Sequence, residues 1–285
     1  MGIFDVCFGG SEVPRLKRGT AMITKMGEMH QEANVPNQDF GIAEELGSGE
    51  DAVLVACVFD GHGDDGHEIS KLAAKLAGDE IRRLHGRAES DVMKMVSSAF
   101  RVANRGVDDS QYSRTSGCTG SIVVVRGKDL AVGNVGDSTV VLMANRKSSY
   151  YPRWVSTDHR LDEPAERQRI VENGGIIYEE QYVVDKVEKN KGLMVTRTMG
   201  DVDMRPNGVL SDPELKRLTL NDASDRLLVV ASDGLWDEDG VSFQFACSVS
   251  AKAARRDLQA VPKELLKAIE NYGPADDCTI CAVAL

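Results

Sequence analysis

The stretch VVVRGKDLAVGNVGDSTVVL, residues 123–142, decides how the chain is read. Its valine- and leucine-rich runs are separated by Gly127-Lys128-Asp129 and by Gly136-Asp137-Ser138. Short β-branched runs bounded by Gly, Asp or Asn read as strands, and intervals this brief join antiparallel neighbours. The spacing predicts a meander, with the interval from Gly133 to Gly136 as a hairpin turn. A nucleotide loop is excluded there because no helix follows it.

Working outward, further strands are expected at Ala52–Asp60 (AVLVACVFD), Cys118–Arg126, Leu130–Gly133, Thr139–Ala144, Arg226–Ser232 and Thr279–Leu285. Thr20–Met26 and Gly192–Thr198 carry weaker signals. Helical spacing of apolar residues appears at Glu68–Leu84 and Val92–Val107, and again at Val241–Ala254 and Pro262–Tyr272. A shorter helix, Pro164–Asn173, is stopped by Gly174-Gly175. Meandering strands with helices in pairs argue for an α+β fold. Two antiparallel sheets packed face to face, each covered outside by a helix pair, would bury every apolar face. One domain is expected over residues 15–285, preceded by a flexible N-terminus over 1–14. No linker or fixed-period repeat divides it.

The chain has 285 residues, with 34 Lys plus Arg against 45 Asp plus Glu, giving a formal net charge of −11. That sum opposes a phosphate backbone, and 5% aromatic residues are too few for a base-stacking platform. Nucleic acid is therefore not an expected partner. No apolar run reaches the ~18 residues of a membrane span. Met1-Gly2 resembles the start of a myristoylation site, but Val6 stands where Ser or Thr is wanted. Membrane attachment through Gly2 or Cys7 is accordingly not the expected reading. Cys57, Cys118, Cys247, Cys278 and Cys281 lie in apolar surroundings, as buried thiols do. Cys278-x-x-Cys281 sits in a strand-like run, where this spacing puts the side chains on opposite faces, so neither zinc nor redox chemistry is expected of it. A reducing compartment fits, with the cytoplasm, and the nucleus as well, as the expected location of a monomeric protein.

The aspartates fall at the ends of these strands. Asp60 closes AVLVACVFD before Gly61-His62-Gly63, and Asp233 closes LLVVASD before Gly234. Asp276 and Asp277 open the last strand, Asp137 lies in VGNVGDS, Asp39 ends NQD, and Asp237 follows Asp233 by four residues. Any one Asp-Gly taken alone reads first as a turn, and it is their number in one chain, together with a His, that points to metal. Several acids meeting at one sheet edge would repel one another, a conflict that divalent cations resolve. All-oxygen ligation favours Mg²⁺ or Mn²⁺ over zinc, despite the nearness of His62 to His67. His62 titrates in the range that suits proton donation at neutral pH.

In this order the motifs resemble those of the metal-dependent Ser/Thr protein phosphatases of type 2C. NQD (37–39), VFDGHG (58–63), SGCTGS (116–121), VGDS (135–138), TDH (157–159), LMVTRTMGD (193–201), ASDGLWD (231–237) and DDCT (276–279) carry the resemblance across nearly the whole chain. The resemblance implies a four-layer α/β/β/α sandwich and a centre of two Mn²⁺ or Mg²⁺ ions. It implies Asp60 as bridging carboxylate, Gly61 as a backbone carbonyl ligand, and Asp233 and Asp276 as further ligands of the first ion. Asp39 would hold metal-bound water, Asp137 and Asp237 a third, weaker ion, and His62 would be the general acid. The implied function is hydrolysis of phosphoserine and phosphothreonine in signalling proteins by a metal-bridging hydroxide.

This sequence departs from the family at Asn34, where members usually carry a basic residue that binds substrate phosphate. Lys25, Arg15, Arg18 and His30 are the possible substitutes. Asp64 in DGHGDD adds negative charge where Gly is common. The alternative reading is a weak or inactive relative that binds phosphoproteins or a regulatory partner. The metal-binding acids are all retained, so an active enzyme is preferred.

Overall fold

A computed structural model describes residues 12–49, 52–186, 192–236, 240–270 and 276–285. In chain order the elements are β1 (Gly19–Lys25), α1 (Glu28–Ala33), β2 (Asp39–Leu46), β3 (Val53–His62), α2 (Gly66–His85) and α3 (Val92–Asp108). Then come β4 (Gly117–Cys118), β5 (Gly120–Arg126), β6 (Asp129–Val135), β7 (Thr139–Arg146), β8 (Ser149–Val155) and α4 (Pro164–Glu172). β9 (Ile176–Tyr178), β10 (Tyr182–Val184), β11 (Gly192–Leu193), β12 (Met199–Gly200), β13 (Glu214–Thr219) and β14 (Asp225–Ala231) follow. The last elements are α5 (Phe243–Ala253), α6 (Ala260–Glu270) and β15 (Cys278–Ala284).

The apolar run of β3 is continuous because both of its faces are covered. Successive strand side chains point to opposite sides. Val53, Val55, Cys57 and Phe59 pack under α2 and α3. Leu54, Ala56 and Val58 face the other sheet. One sheet has the order β12-β4-β3-β5-β6-β13, with β2 also on β3, and the other is β1-β15-β14-β7-β8. A third core lies between the second sheet and α5/α6. The result is the α/β/β/α sandwich of two antiparallel sheets. Cys278 belongs to the helix-side core and Cys281 to the inter-sheet core, on opposite faces as the spacing predicts. Cys7 and Gly2 lie outside the described residues. Among the described residues no helix is long and apolar enough to cross a membrane.

The predicted meander is corrected at its second turn. Gly127 adopts φ 56° in the β5–β6 hairpin, and Arg126 faces Asp129. β6, however, pairs with β5 and β13, whereas β7 pairs with β14 and β8 in the other sheet. Gly136-Asp137-Ser138 is thus a crossover between the layers and not a hairpin. Gly136 has φ 89°, and an added Cβ would lie 2.7 Å from the Thr119 side chain. Its N–H donates to His159 Nδ1 at 3.1 Å, and the His159 N–H donates back to the Gly136 carbonyl at 3.0 Å. These bonds replace the ladder partners that a hairpin would have supplied.

The expected strand at Gly192–Thr198 is also corrected. Only Gly192–Leu193 is strand, followed by isolated bridges from Val195 to Arg160 and from Arg197 to Leu210. Thr196 and Thr198 are fully buried, and Thr196 Oγ1 donates to Glu166 Oε2. Side-chain bonding of buried polar groups wins here over ladder pairing.

His159 fastens the crossover and is 1% exposed. Burial, with the nearby Arg197 cation, lowers its pKa to about 4. The folded chain therefore binds this proton less well than the unfolded chain. Stability is full above the unfolded pKa near 6.5 and falls as pH drops toward the folded value, by up to about 3 kcal/mol. His159→Asn should flatten the dependence of urea-unfolding free energy on pH between 7 and 4. An unchanged slope would contradict this assignment.

Candidate metal centre

NQD and VFDGHG meet through strand register. Asp39 and Asp60 are directly paired across β2 and β3, so both carboxylates leave the same face. Asp39 is held by an Asx turn, its N–H donating to Asn37 Oδ1 at 2.8 Å. The Asp60 N–H donates to Thr119 Oγ1 at 3.1 Å, and Thr119 N–H returns a bond to the Asp60 carbonyl at 2.8 Å. SGCTGS thus anchors the end of β3. Gly61 permits a close backbone approach: a Cβ there would lie 2.3 Å from the Gly66 carbonyl oxygen.

The second sheet delivers its acids to the same edge. Asp233 follows β14 in a 3-10 turn, where a Cβ on Gly234 would lie 2.2 Å from the Asp277 carbonyl oxygen. Ser232 Oγ donates to Asp39 Oδ2 at 2.6 Å and accepts from Thr279 N–H at 3.0 Å, tying the two sheets together behind the acids. Asp276 precedes β15, and Asp137 arrives from the crossover. Asp60, Gly61, His62, Asp137, Asp233 and Asp276 all line one cleft of about 660 Å³. Asp39 lies behind them, 6% exposed. Asp237 lies outside the described residues.

The charges are in conflict. Burial, followed by the carboxylates of Asp39, Asp233, Asp276 and Asp137, pushes the Asp60 carboxyl well above its usual range. Burial raises Asp39 to about 7, against the hydrogen bonds from Ser232 and Thr279 and with Asp277 and Asp276 adding to the rise. Asp39 Oδ1 is buried and has no hydrogen-bond partner. Buried oxygen ligands that repel one another, with a lone pair left over, fit a hard divalent cation such as Mn²⁺ or Mg²⁺.

His30, Asp276 and Asp277 also offer ligand atoms within 4.8 Å of one another. Asp277 is already engaged. Its Oδ1 accepts from Gly27 N–H, and its Oδ2 accepts from Gln38 N–H and lies 2.7 Å from His30 Nδ1. It acts as a strut that fixes the entry to β2.

His62 Nε2 lies 2.6 Å from Asp201 Oδ2, and Thr198 Oγ1 donates to the same carboxylate oxygen at 3.0 Å. Burial alone would lower the pKa of His62, but the charge and hydrogen bond of Asp201 outweigh it and raise the pKa. The side chain is 29% exposed and lines the cleft. His67 does not line the cleft and lies 3.7 Å from Glu68.

Asp201 lies in LMVTRTMGD, a motif that assigns it no role in the sequence. The positive φ of Gly200 and Asp201, 46° at Asp201, is a property of the folded backbone that the sequence does not show. Arg160 and Arg114 were missed as well. Arg160 contacts Asp137 and Asp233, and Arg114 lines the cleft beside Asp203 at 3.1 Å. Asn34 is a left-handed cap on α1 and is not among the cleft-lining residues. Of the proposed substitutes Lys25, Arg15, Arg18 and His30, only His30 lines the cleft. Asp64 lines it too, adding negative charge at the mouth.

A protein-family model described as Protein phosphatase 2C matches residues 22–278. A rice protein named "Probable protein phosphatase 2C 2" is 32% identical over 241 residues, covering 79% of this chain and 60% of that protein. An Arabidopsis thaliana protein named "Probable protein phosphatase 2C 72" is 26% identical over 277 residues, covering 90% of this chain and 83% of that protein. The crystal structure of serine-threonine phosphatase 2C from Toxoplasma gondii superposes with TM-score 0.74 at 20% identity, over 96% of this chain and 97% of that one. That likeness speaks for the fold.

Proposed function

The chain belongs to the protein phosphatase 2C family, and on that premise we propose that it hydrolyses phosphoserine and phosphothreonine in proteins with Mn²⁺ or Mg²⁺. The observation that carries the reading is the facing pair Asp39 and Asp60, surrounded by Asp233, Asp276 and Asp137 in one cleft. Asp60, Asp233, Asp276 and the backbone of Gly61 would hold the first ion, with Asp60 shared by a second. Asp137 and Asp237 would serve a third, weaker position. Bound ions supply a water acidic enough to attack phosphorus near neutral pH and offset charge on the phosphoryl oxygens.

The chain's own residues do the remainder. Asp39, behind Asp60, accepts from Ser232 with one oxygen and keeps the other for a water proton. His62, kept protonated by Asp201, gives its proton to the departing serine or threonine oxygen. Arg114 is the guanidinium at the cleft wall placed to meet the substrate phosphate in a chain whose position 34 is Asn. A purely binding role is not favoured, because the acids that binding alone would not require are retained. The test is phosphate release from a phosphoserine peptide with Mn²⁺ and after chelation by EDTA. Turnover with Mn²⁺ that EDTA abolishes is expected; no turnover, or turnover indifferent to EDTA, overturns the reading.

A further inference from the structure

Arg160 holds together two acids that arrive from different sheets. Its Nε donates to Asp137 Oδ2 at 2.6 Å and its Nη2 to Asp233 Oδ2 at 3.0 Å. Asp137 comes from the crossover after β6, and Asp233 from the end of β14. Both acids line the main cleft, whereas Arg160 is not among its lining residues and lines, together with both acids, a second cavity of about 500 Å³. A cation that bridges carboxylates from two elements does what a divalent ion does in such a site.

We propose that the Arg160 guanidinium is a built-in counter-cation occupying the position between Asp137 and Asp233, so that a divalent ion binds between these acids only by displacing it. The inference rests on the metal-dependent reading above and deepens it. A guanidinium stays protonated at all working pH values, so proton loss never relieves the competition. Its fork makes two charge-assisted bonds, which an entering ion must break.

The side chain is also tethered close by. The Arg160 backbone is bridged to Val195, and the preceding residues are pinned. Asp158 Oδ1 accepts from Thr139 Oγ1 at 2.9 Å, and the His159 N–H donates to the Gly136 carbonyl. The second cavity is lined by Asp158, Asp162 and Glu163. A displaced guanidinium therefore has other carboxylates to turn to, and displacement is reversible. The weakest ion-binding step of this chain is set by Arg160 as much as by the ligands themselves.

Calorimetric Mn²⁺ titration of the metal-depleted full chain, with bound Mn²⁺ counted by electron paramagnetic resonance, tests this in wild type, Arg160→Lys and Arg160→Gln. Melting temperatures in EDTA check folding. Arg160→Gln should tighten the weakest step by about tenfold or more, or add one bound ion. Arg160→Lys, a point charge without the fork, should fall between it and wild type. Adding Asp137→Asn to Arg160→Gln should remove the gain. Unchanged ion number and affinity in Arg160→Gln would overturn the proposal, as would loss of the weakest step in a variant that melts like wild type in EDTA. If Arg160→Gln does not fold, the comparison of wild type with Arg160→Lys decides by the same criterion. A wild-type chain that binds no Mn²⁺ overturns the proposed function and this inference with it. Binding that is blind to Arg160 overturns this inference alone.

Discussion

Asp60→Asn should lower Mn²⁺-dependent phosphate release by about 10³-fold or more while raising the melting temperature of the metal-depleted chain. The two effects share one cause. Asp60 faces Asp39 across β2 and β3 and is crowded by Asp233, Asp276 and Asp137. In the metal-depleted chain its raised pKa means that ionisation works against folding. A group raised in this way contributes stability below its unfolded pKa and loses it as pH rises through the folded value. Asparagine has nearly the same shape and never ionises, so at neutral pH the variant escapes that penalty. Each kcal/mol recovered is worth about 2–4 °C in a chain of this size class. The same substitution would take away the carboxylate that the proposed function assigns to both ions. Steady-state kinetics and melts in EDTA check both halves. An active Asp60→Asn protein would contradict the assignment of this residue, whatever its melting temperature.

His62→Gln should reduce kcat on a phosphoserine peptide by about 10²–10⁴-fold, the usual contribution of a positioned general acid. The loss should be far smaller on p-nitrophenyl phosphate, whose leaving group departs without a proton. That contrast separates proton donation from damage to the metal centre, which would slow both substrates alike. Asp201→Asn supplies the pH readout. The Asp201 carboxylate 2.6 Å away is what raises His62, so its loss lowers the pKa and moves the basic limb of the kcat profile to lower pH. Equal losses on both substrates, or a basic limb that stays in place, would remove His62 from the role of acid.

The strand-end acids were legible because each sits where a rigid apolar run stops. Asp60 after VLVACVF and Asp233 after LLVVAS are visible in one dimension. The alternating burial of β3 between two cores, and the opposite faces of Cys278 and Cys281, follow from strand periodicity alone. Asp137 is legible as well, but its turn is not. Gly136-Asp137-Ser138 has the composition of a hairpin, and only the bonds to His159, 23 residues on, make it a crossover.

Asp201 and Arg160 illustrate the other limit. His62 and Asp201 are 139 residues apart, and Arg160 is 73 residues from Asp233. No local period or turn signal encodes such pairs; they form only when two sheets bring their ends to one edge. The buried threonines at 196 and 198 hid the short bridges behind a strand-like pattern, because side-chain hydrogen bonds replaced the ladder.

The acids at the shared edge, of which Arg160 bridges only Asp137 and Asp233, form a candidate cation site whose remaining repulsion bound ions would relieve. Thermal unfolding of the metal-depleted chain during Mn²⁺ titration tests it most directly. The melting temperature should climb with Mn²⁺, by the equivalent of about 2.7 kcal/mol at a hundredfold excess over Kd, and should climb much less in Asp60→Asn. Equal melting temperatures with and without Mn²⁺ in the wild-type chain would contradict it.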